Sequence, residues 1–209
     1  MIELQFRALL EIRVSRRRVV LKRTFYRRDP RVVAVDLLNK VLVNADGRSG
    51  RIVETEAYCG AFDEAAHSWR GMTPRNAVMF DQPGLLYVYF TYGMHWCCNP
   101  VCGEPGEGVA VLLRALAPLT GLDAMRAARP ACRSDRDLCR GPARLCQAMG
   151  IGKLQNGIDL ISGNGGYSII DDGMSPPAEP VAAARVGITR AVEQLWRWYV
   201  PGDPYVSRR

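Results

Sequence analysis

The sequence predicts an α+β fold: a single mixed domain with a curved antiparallel sheet flanked by helices, carrying a protruding β-hairpin. Three observations lead there. At 209 residues the chain fits one domain and can bury a substantial core. Its apolar runs are of strand length and are joined by turns too short for parallel crossovers. Three further stretches read as helices, one of them opening on an N-cap and a proline at the first helical position.

The elements follow in order. "DPRVVAVDLLNKVLV" offers Asp29 as an N-cap and Pro30 at the first helical position, with apolar residues at 33, 37 and 38, before a β-branched run enters a strand. "ADGRSG" is a turn and "RIVETEAY" the partner strand. After a loop containing "GMTPRN", the segment "GLLYVYFTYGMHWCCN" alternates as strands do, and its break falls at Tyr92-Gly93, which gives the hairpin. "GVAVLLRALAP" (108–118) is almost wholly apolar and so buried on both faces, Arg114 excepted. Helices follow at about 119–128 and, behind Pro142, at about 142–149. "PVAAARVGI" (180–188) supplies a late strand, and "LWRWYVPGDPYVSRR" an aromatic, extended tail.

The net charge of +7 is unevenly spread. Residues 1–31 hold ten Lys or Arg against three acids, and the remaining 178 residues balance at eighteen against eighteen. Overall basicity therefore says nothing about a phosphate-binding face on the body of the protein. Residues 1–22 differ in composition and read as a basic N-terminal arm or non-essential extension ahead of a domain over 23–209. The amino terminus is too often broken by charge for a signal peptide, and no window approaches eighteen apolar residues, so a cytoplasmic protein without a membrane partner is expected. The seven cysteines form no CxxC pair, which favours reduced, mostly buried thiols over a metal site.

Chemistry concentrates in "RIVETEAYCGAFDEAAH". Along a regular strand Glu54, Glu56 and Tyr58 share one face, and Val53, Thr55 and Ala57 the other. The second set suits a core. The first is either the polar outer face of an edge strand or a general acid or base beside an aromatic platform, with His67 adding a hydrogen-bonding group. Tyr92, beside Gly93 at the proposed turn, has the position of a wedge that holds open a duplex.

"RIVETEAY", "DEAAH", "TPRN", "LYVYFTYGM", "VLLRALAP", "GPARLCQA" and "ARVGI" occur in that order, and together, over about residues 23–207, the chain resembles the alkyladenine (3-methyladenine) DNA glycosylase family. The resemblance implies a monofunctional enzyme of base excision repair that flips alkylated or deaminated purines out of duplex DNA, such as 3-methyladenine, 7-methylguanine or hypoxanthine, and hydrolyses their N-glycosidic bond. It implies that Glu56 activates the water, with Arg114 and the backbone carbonyl of Val186 helping to hold it. Tyr58, His67 and Tyr89 match residues that sandwich and hydrogen-bond the flipped base, and Asn99 matches the one that rejects the guanine amine. Tyr92 matches the ring inserted into the vacated stack. The implied enzyme needs no cofactor and no metal, works as a monomer on damaged double-stranded DNA, and would be nucleoid-associated if bacterial. Pro100 departs from the aliphatic residue usual after the asparagine, and His95 and Trp96 lie where members vary.

Two other readings remain compatible with the residues. Glu54 and Glu56 lie about 6.5 to 7 Å apart along a strand and could form the carboxylate pair of an inverting hydrolase of free glycosides. A non-catalytic nucleic-acid-binding module would leave the carboxylates unexplained.

Overall fold

The computed structural model describes residues 18–91 and 93–207. Tyr92, the expected wedge, and residues 1–17 of the expected basic arm lie outside the described residues. Nine strands among the described residues run β1 (Val19–Val20), β2 (Val41–Asn44), β3 (Ser49–Cys59), β4 (Leu86–Thr91), β5 (His95–Cys102), β6 (Val109–Thr120), β7 (Tyr167–Asp171), β8 (Val181–Ala183) and β9 (Arg197–Tyr199). Their order is β1-β7-β2-β3-β6-β5-β4, with β9 joining both β3 and β8. Every pairing is antiparallel, as the short connections require. Val19 and Val20 pair with β7 and Leu21 enters the core, so the last residues ahead of position 23 are part of the sheet.

Four helices accompany the sheet: α1 (Arg23–Tyr26), α2 (Pro30–Asp36), α3 (Leu122–Ala128) and α4 (Pro142–Met149). Asp29 caps α2 by accepting from the Arg31 N–H at 2.8 Å, and Pro30 opens the helix, both as the sequence predicts. Helix α3 starts later than expected because β6 runs on to Thr120 and turns only at Gly121, whose φ is +71°. Helix α4 ends on Gly150 in the left-handed region. The main core lies between helices and sheet: Val33 and Ala34 of α2, Leu37 just after it, and Leu145 and Met149 of α4 pack with Ile52, Leu113 and Leu116.

Strand β3 is the axis of the fold. It pairs along its length with β6, while its other edge is held first by β2, through Ser49–Arg51, and then by β9, through Glu54–Glu56. The register against β6 breaks where the partner changes. Ile52 faces Leu116, Glu54 faces Ala115 and Thr55 faces Leu113, so Val53 and Arg114 have no opposite number. Paired bulges of this kind bend a sheet and re-aim side chains. They also correct the simple alternation. Thr55 and Ala57 point toward the α2 side, Thr55 Oγ1 donating to the Ala34 carbonyl at 2.9 Å, but Val53 packs with Ala115 and Val206 in a separate small cluster. The late strand is likewise shorter than expected: it stops at Ala183, and the chain carries Arg185 and Val186 inward instead.

At the end of β3, Gly60 has φ +64°, and a Cβ there would lie 2.5 Å from the Glu107 carbonyl oxygen. Gly60→Ala combines a disfavoured backbone region with a clash against main chain, and should lower the unfolding free energy by about 2 to 3 kcal/mol in denaturant titration. An unchanged midpoint would mean that this loop relaxes freely.

Candidate active site

The bulges bring four charged side chains together under the sheet. Glu54 and Glu56 are fully buried, and Arg114 and Arg197 are 5% exposed. Arg114, displaced from the regular ladder, bridges the carboxylates: Nε donates to Glu54 Oε1 at 3.0 Å and Nη1 lies 3.1 Å from Glu56 Oε1. Arg197 Nη1 donates to the same Glu54 oxygen at 3.0 Å, and the Ser207 N–H, near the far end of the chain, reaches Glu54 Oε2 at 2.7 Å. Glu54 is therefore held by three donors.

Glu56 is held differently. Its Oε1 also accepts from the Val186 N–H at 2.7 Å, and its Oε2 accepts from the Tyr58 hydroxyl at 3.0 Å. The Val186 group found on the carboxylate is thus the amide N–H. Burial raises the Glu56 pKa above the ordinary carboxylate value, an effect opposed by Arg114, by the Val186 N–H and by Tyr58. Burial also opposes the charge of Arg114, but the two carboxylates outweigh it and raise its pKa. Burial, with the neighbouring Glu56 charge, pushes the Tyr58 phenol well above its usual range.

Tyr58, Arg114 and Val186 line a cavity of about 450 Å³, and Glu56 lies behind them. The other walls include His67, Tyr87, Tyr89, Cys97 and Asn99. Tyr87 and Tyr89, two apart on β4, stack at 5.5 Å between ring centroids with 27° between planes. His67 meets Tyr89 edge-on at 4.4 Å, and its Nδ1 shares a 3.1 Å hydrogen bond with the Tyr87 hydroxyl. Burial lowers the His67 pKa, and Arg75 lowers it further, which favours the neutral imidazole. Asn99 sits opposite Tyr87 and donates from Nδ2 to the Tyr87 carbonyl at 3.1 Å, an anchor that fixes the amide.

The structure thus gathers Glu56, Arg114, Val186, Tyr58, His67, Tyr89 and Asn99 in one place. Sequence reasoning missed Asp63, Arg185, Arg197 and Ser207. Asp63 and Arg185 stand inside the motifs "DEAAH" and "ARVGI", but their bidentate pairing, at 2.6 and 2.8 Å, spans 122 residues and leaves no local pattern. Tyr87 is also a wall of the cavity. All seven cysteines are free. Among the described residues no group of three His, Cys, Asp or Glu is placed to hold a metal, and no helix is long and apolar enough to cross a membrane.

Comparison with known proteins meets this geometry directly. A profile of the methylpurine-DNA glycosylase family matches residues 24–204. A protein of Burkholderia lata is 62% identical over 188 residues, covering 90% of this chain and 91% of the relative. One from Koribacter versatilis is 44% identical over 192 residues, covering 90% and 92%, and one from Chlorobaculum tepidum 42% identical over 189 residues, covering 88% of each. All three carry 3-methyladenine DNA glycosylase as a provisional name. With a family profile spanning all but the ends, and relatives matched along nearly their whole length, the chain belongs to the methylpurine-DNA glycosylase family and is a DNA glycosylase, a hydrolase of N-glycosyl bonds.

Proposed function

We propose that this enzyme flips alkylated or deaminated purines, such as 3-methyladenine, 7-methylguanine and hypoxanthine, out of duplex DNA and hydrolyses the N-glycosidic bond with a water activated by Glu56. The observation that carries the proposal is a buried carboxylate with a raised pKa, fixed by three groups that themselves line an aromatic cavity. A cavity of about 450 Å³ is of the size that holds a small planar ligand. Extruding a base costs a few kcal/mol of unstacking, and each aromatic contact returns roughly 1 to 3 kcal/mol. Tyr58 and the His67–Tyr89 pair supply those contacts from three segments of the chain, β3, the loop after it and β4.

Glu56 Oε2 is the oxygen available to the water. Oε1 already accepts from Arg114 and Val186, whereas Oε2 has a single donor, Tyr58, and keeps a second acceptor site. As the water attacks C1′ of the sugar, its proton passes to Glu56 and the bonding electrons leave with the base. A cationic alkylated purine departs readily as a neutral molecule. A neutral lesion needs protonation of the leaving base. Asn99, its amide pinned to the Tyr87 carbonyl, is assigned the screening of substituents on the purine, and Tyr92 the gap in the duplex. The enzyme acts as a cytoplasmic monomer that initiates base excision repair.

The paired-carboxylate reading fares worse. Glu54 is committed to Arg114, Arg197 and the Ser207 amide and lines no part of the cavity, so it is poorly placed to act on a second water. Glu56→Gln should cut single-turnover excision of hypoxanthine from a duplex by about 10³-fold or more while lesion binding persists. Glu54→Gln, assayed where it stays folded, should cost far less, within about tenfold; equal losses would revive the pair.

The base must be deprotonated, so a raised Glu56 pKa means that activity falls as pH drops through a value above the ordinary carboxylate one. Arg114 lowers that pKa. In Arg114→Gln the acid limb of the single-turnover pH profile should move to higher pH, on top of a slower maximum rate; a limb that stays put would separate Arg114 from the titrating group.

The only lysines of the 23–209 region, Lys40 and Lys153, line no part of the cavity, and Lys40 is paired with Asp171 at 2.8 Å. Gel analysis should therefore show an intact abasic strand, cleaved only after alkaline treatment. Strand scission by the enzyme alone would contradict hydrolysis by water.

A further inference from the structure

Behind the cavity wall lies a second buried ion pair that the reaction scheme does not use. Arg185 and Asp63 have fully buried side chains. Arg185 Nη1 and Nη2 donate to the two Asp63 oxygens at 2.6 and 2.8 Å, and Nη1 donates also to the Ala57 carbonyl at 3.0 Å. Asp63 is fixed in turn by the N–H groups of Cys59 and Ala65. The guanidinium lies between two rings, 4.8 Å from the centroid of Tyr58 and 5.1 Å from that of Trp196. Tyr58 lines the cavity and Arg185 does not. One face of the Tyr58 ring is therefore taken by a cation, and the ring is what separates that cation from the cavity.

This matters for what the cavity prefers. An aromatic face attracts a cation through its quadrupole, worth roughly 0.5 to 2 kcal/mol according to how dry the contact is. A guanidinium on the rear face draws the π electrons toward itself, so the front face attracts a second cation less. Neutral bases, which stack through dispersion and apolar contact, are affected little. We propose that Arg185, acting through Tyr58, is a specificity-determining residue that holds down the preference for positively charged purines and so lets neutral ones compete. Asp63 sets the strength of the effect, because its carboxylate offsets part of the guanidinium charge. Arg185 touches neither the base nor the water; it positions and polarises the ring that does. The inference rests on the reading of Tyr58 as a stacking platform for a flipped purine.

Matched duplexes carrying a single 7-methylguanine, which is cationic, or a single hypoxanthine, which is neutral, provide the test under single-turnover conditions. Two variants should move the ratio of the two rates in opposite directions. In Asp63→Asn, which keeps acceptor and donor atoms but leaves the guanidinium uncompensated, the 7-methylguanine to hypoxanthine ratio should fall by a few-fold relative to the parent. In the double variant Asp63→Asn/Arg185→Met, which removes both charges, the ratio should rise by about 2- to 30-fold. A purely structural role would slow both substrates in proportion, and an unchanged ratio in folded protein would overturn the proposal. Circular dichroism checks the fold, and either variant alone decides the matter if the other does not fold. Should the parent excise neither these two lesions nor 3-methyladenine while glycosylase activity on other substrates persists, the purine assignment itself fails and takes this inference with it.

Discussion

The bridge that Arg114 makes between Glu54 and Glu56 is the constraint on which the site depends. Two carboxylates buried two residues apart would repel and would each suffer the loss of water, a penalty of several kcal/mol per ion. Arg114 and Arg197 bring the cluster to formal neutrality, and Ser207 adds a backbone donor. A regular ladder could not assemble it. Leu113 and Leu116 must face the main core, yet the two residues between them, Arg114 and Ala115, both turn away from it. Only a bulge lets consecutive side chains do so, and the matching bulge at Val53 lets β3 follow. The curvature of the sheet and the geometry around Glu56 thus share one cause.

A second economy lies in the stretch after β8. Three consecutive residues serve the site by different atoms: the Ala184 carbonyl accepts from Arg197, the Arg185 side chain backs Tyr58, and the Val186 N–H holds Glu56. Continued strand pairing would commit those backbone groups to a neighbouring strand. The chain leaves the sheet at Ala183, where function claims the hydrogen bonds.

That trade explains what the sequence could and could not disclose. Helices α2 and α4 were legible because a cap, a proline at N1 and a run of apolar positions are local signals. So were the long strands β3, β4, β5 and β6 and the antiparallel sense. Strands β1 and β7 gave no usable signal, since a two-residue strand has no period and β7 is recognisable chiefly by its partners. The extension of "PVAAARVGI" through position 188 failed because β propensity is overridden once Arg185 finds Asp63. At the site, the residue types came from ordered motifs and the alternation from strand geometry. The alternation was right for Glu54, Glu56 and Tyr58 and wrong for Val53, because a bulge is decided by two strands at once. Contacts such as Glu54 with Ser207, 153 residues apart, exist only after folding.

Burial also answers how two carboxylates can sit in the site of a DNA glycosylase. Carboxylates facing a polyanion should repel it, since two like charges 4 Å apart interact by about 4 kcal/mol at an effective dielectric constant of 20. Here neither carboxylate faces outward. Glu54 and Glu56 are screened by guanidiniums within 3.1 Å, and Asp63 by Arg185. Half-exposed Arg190, paired with Glu64 at 3.6 Å and lying over the ring of Trp69, lines the same cavity, and Arg75 is the cation that Tyr87 and His67 sense. The charge exposed at the cavity is thus Arg190 with its partner Glu64, while the Glu56 carboxylate is held behind a phenol and a guanidinium. The same screening favours the charged form of Glu56: removing its arginine would raise further a pKa that burial has already raised.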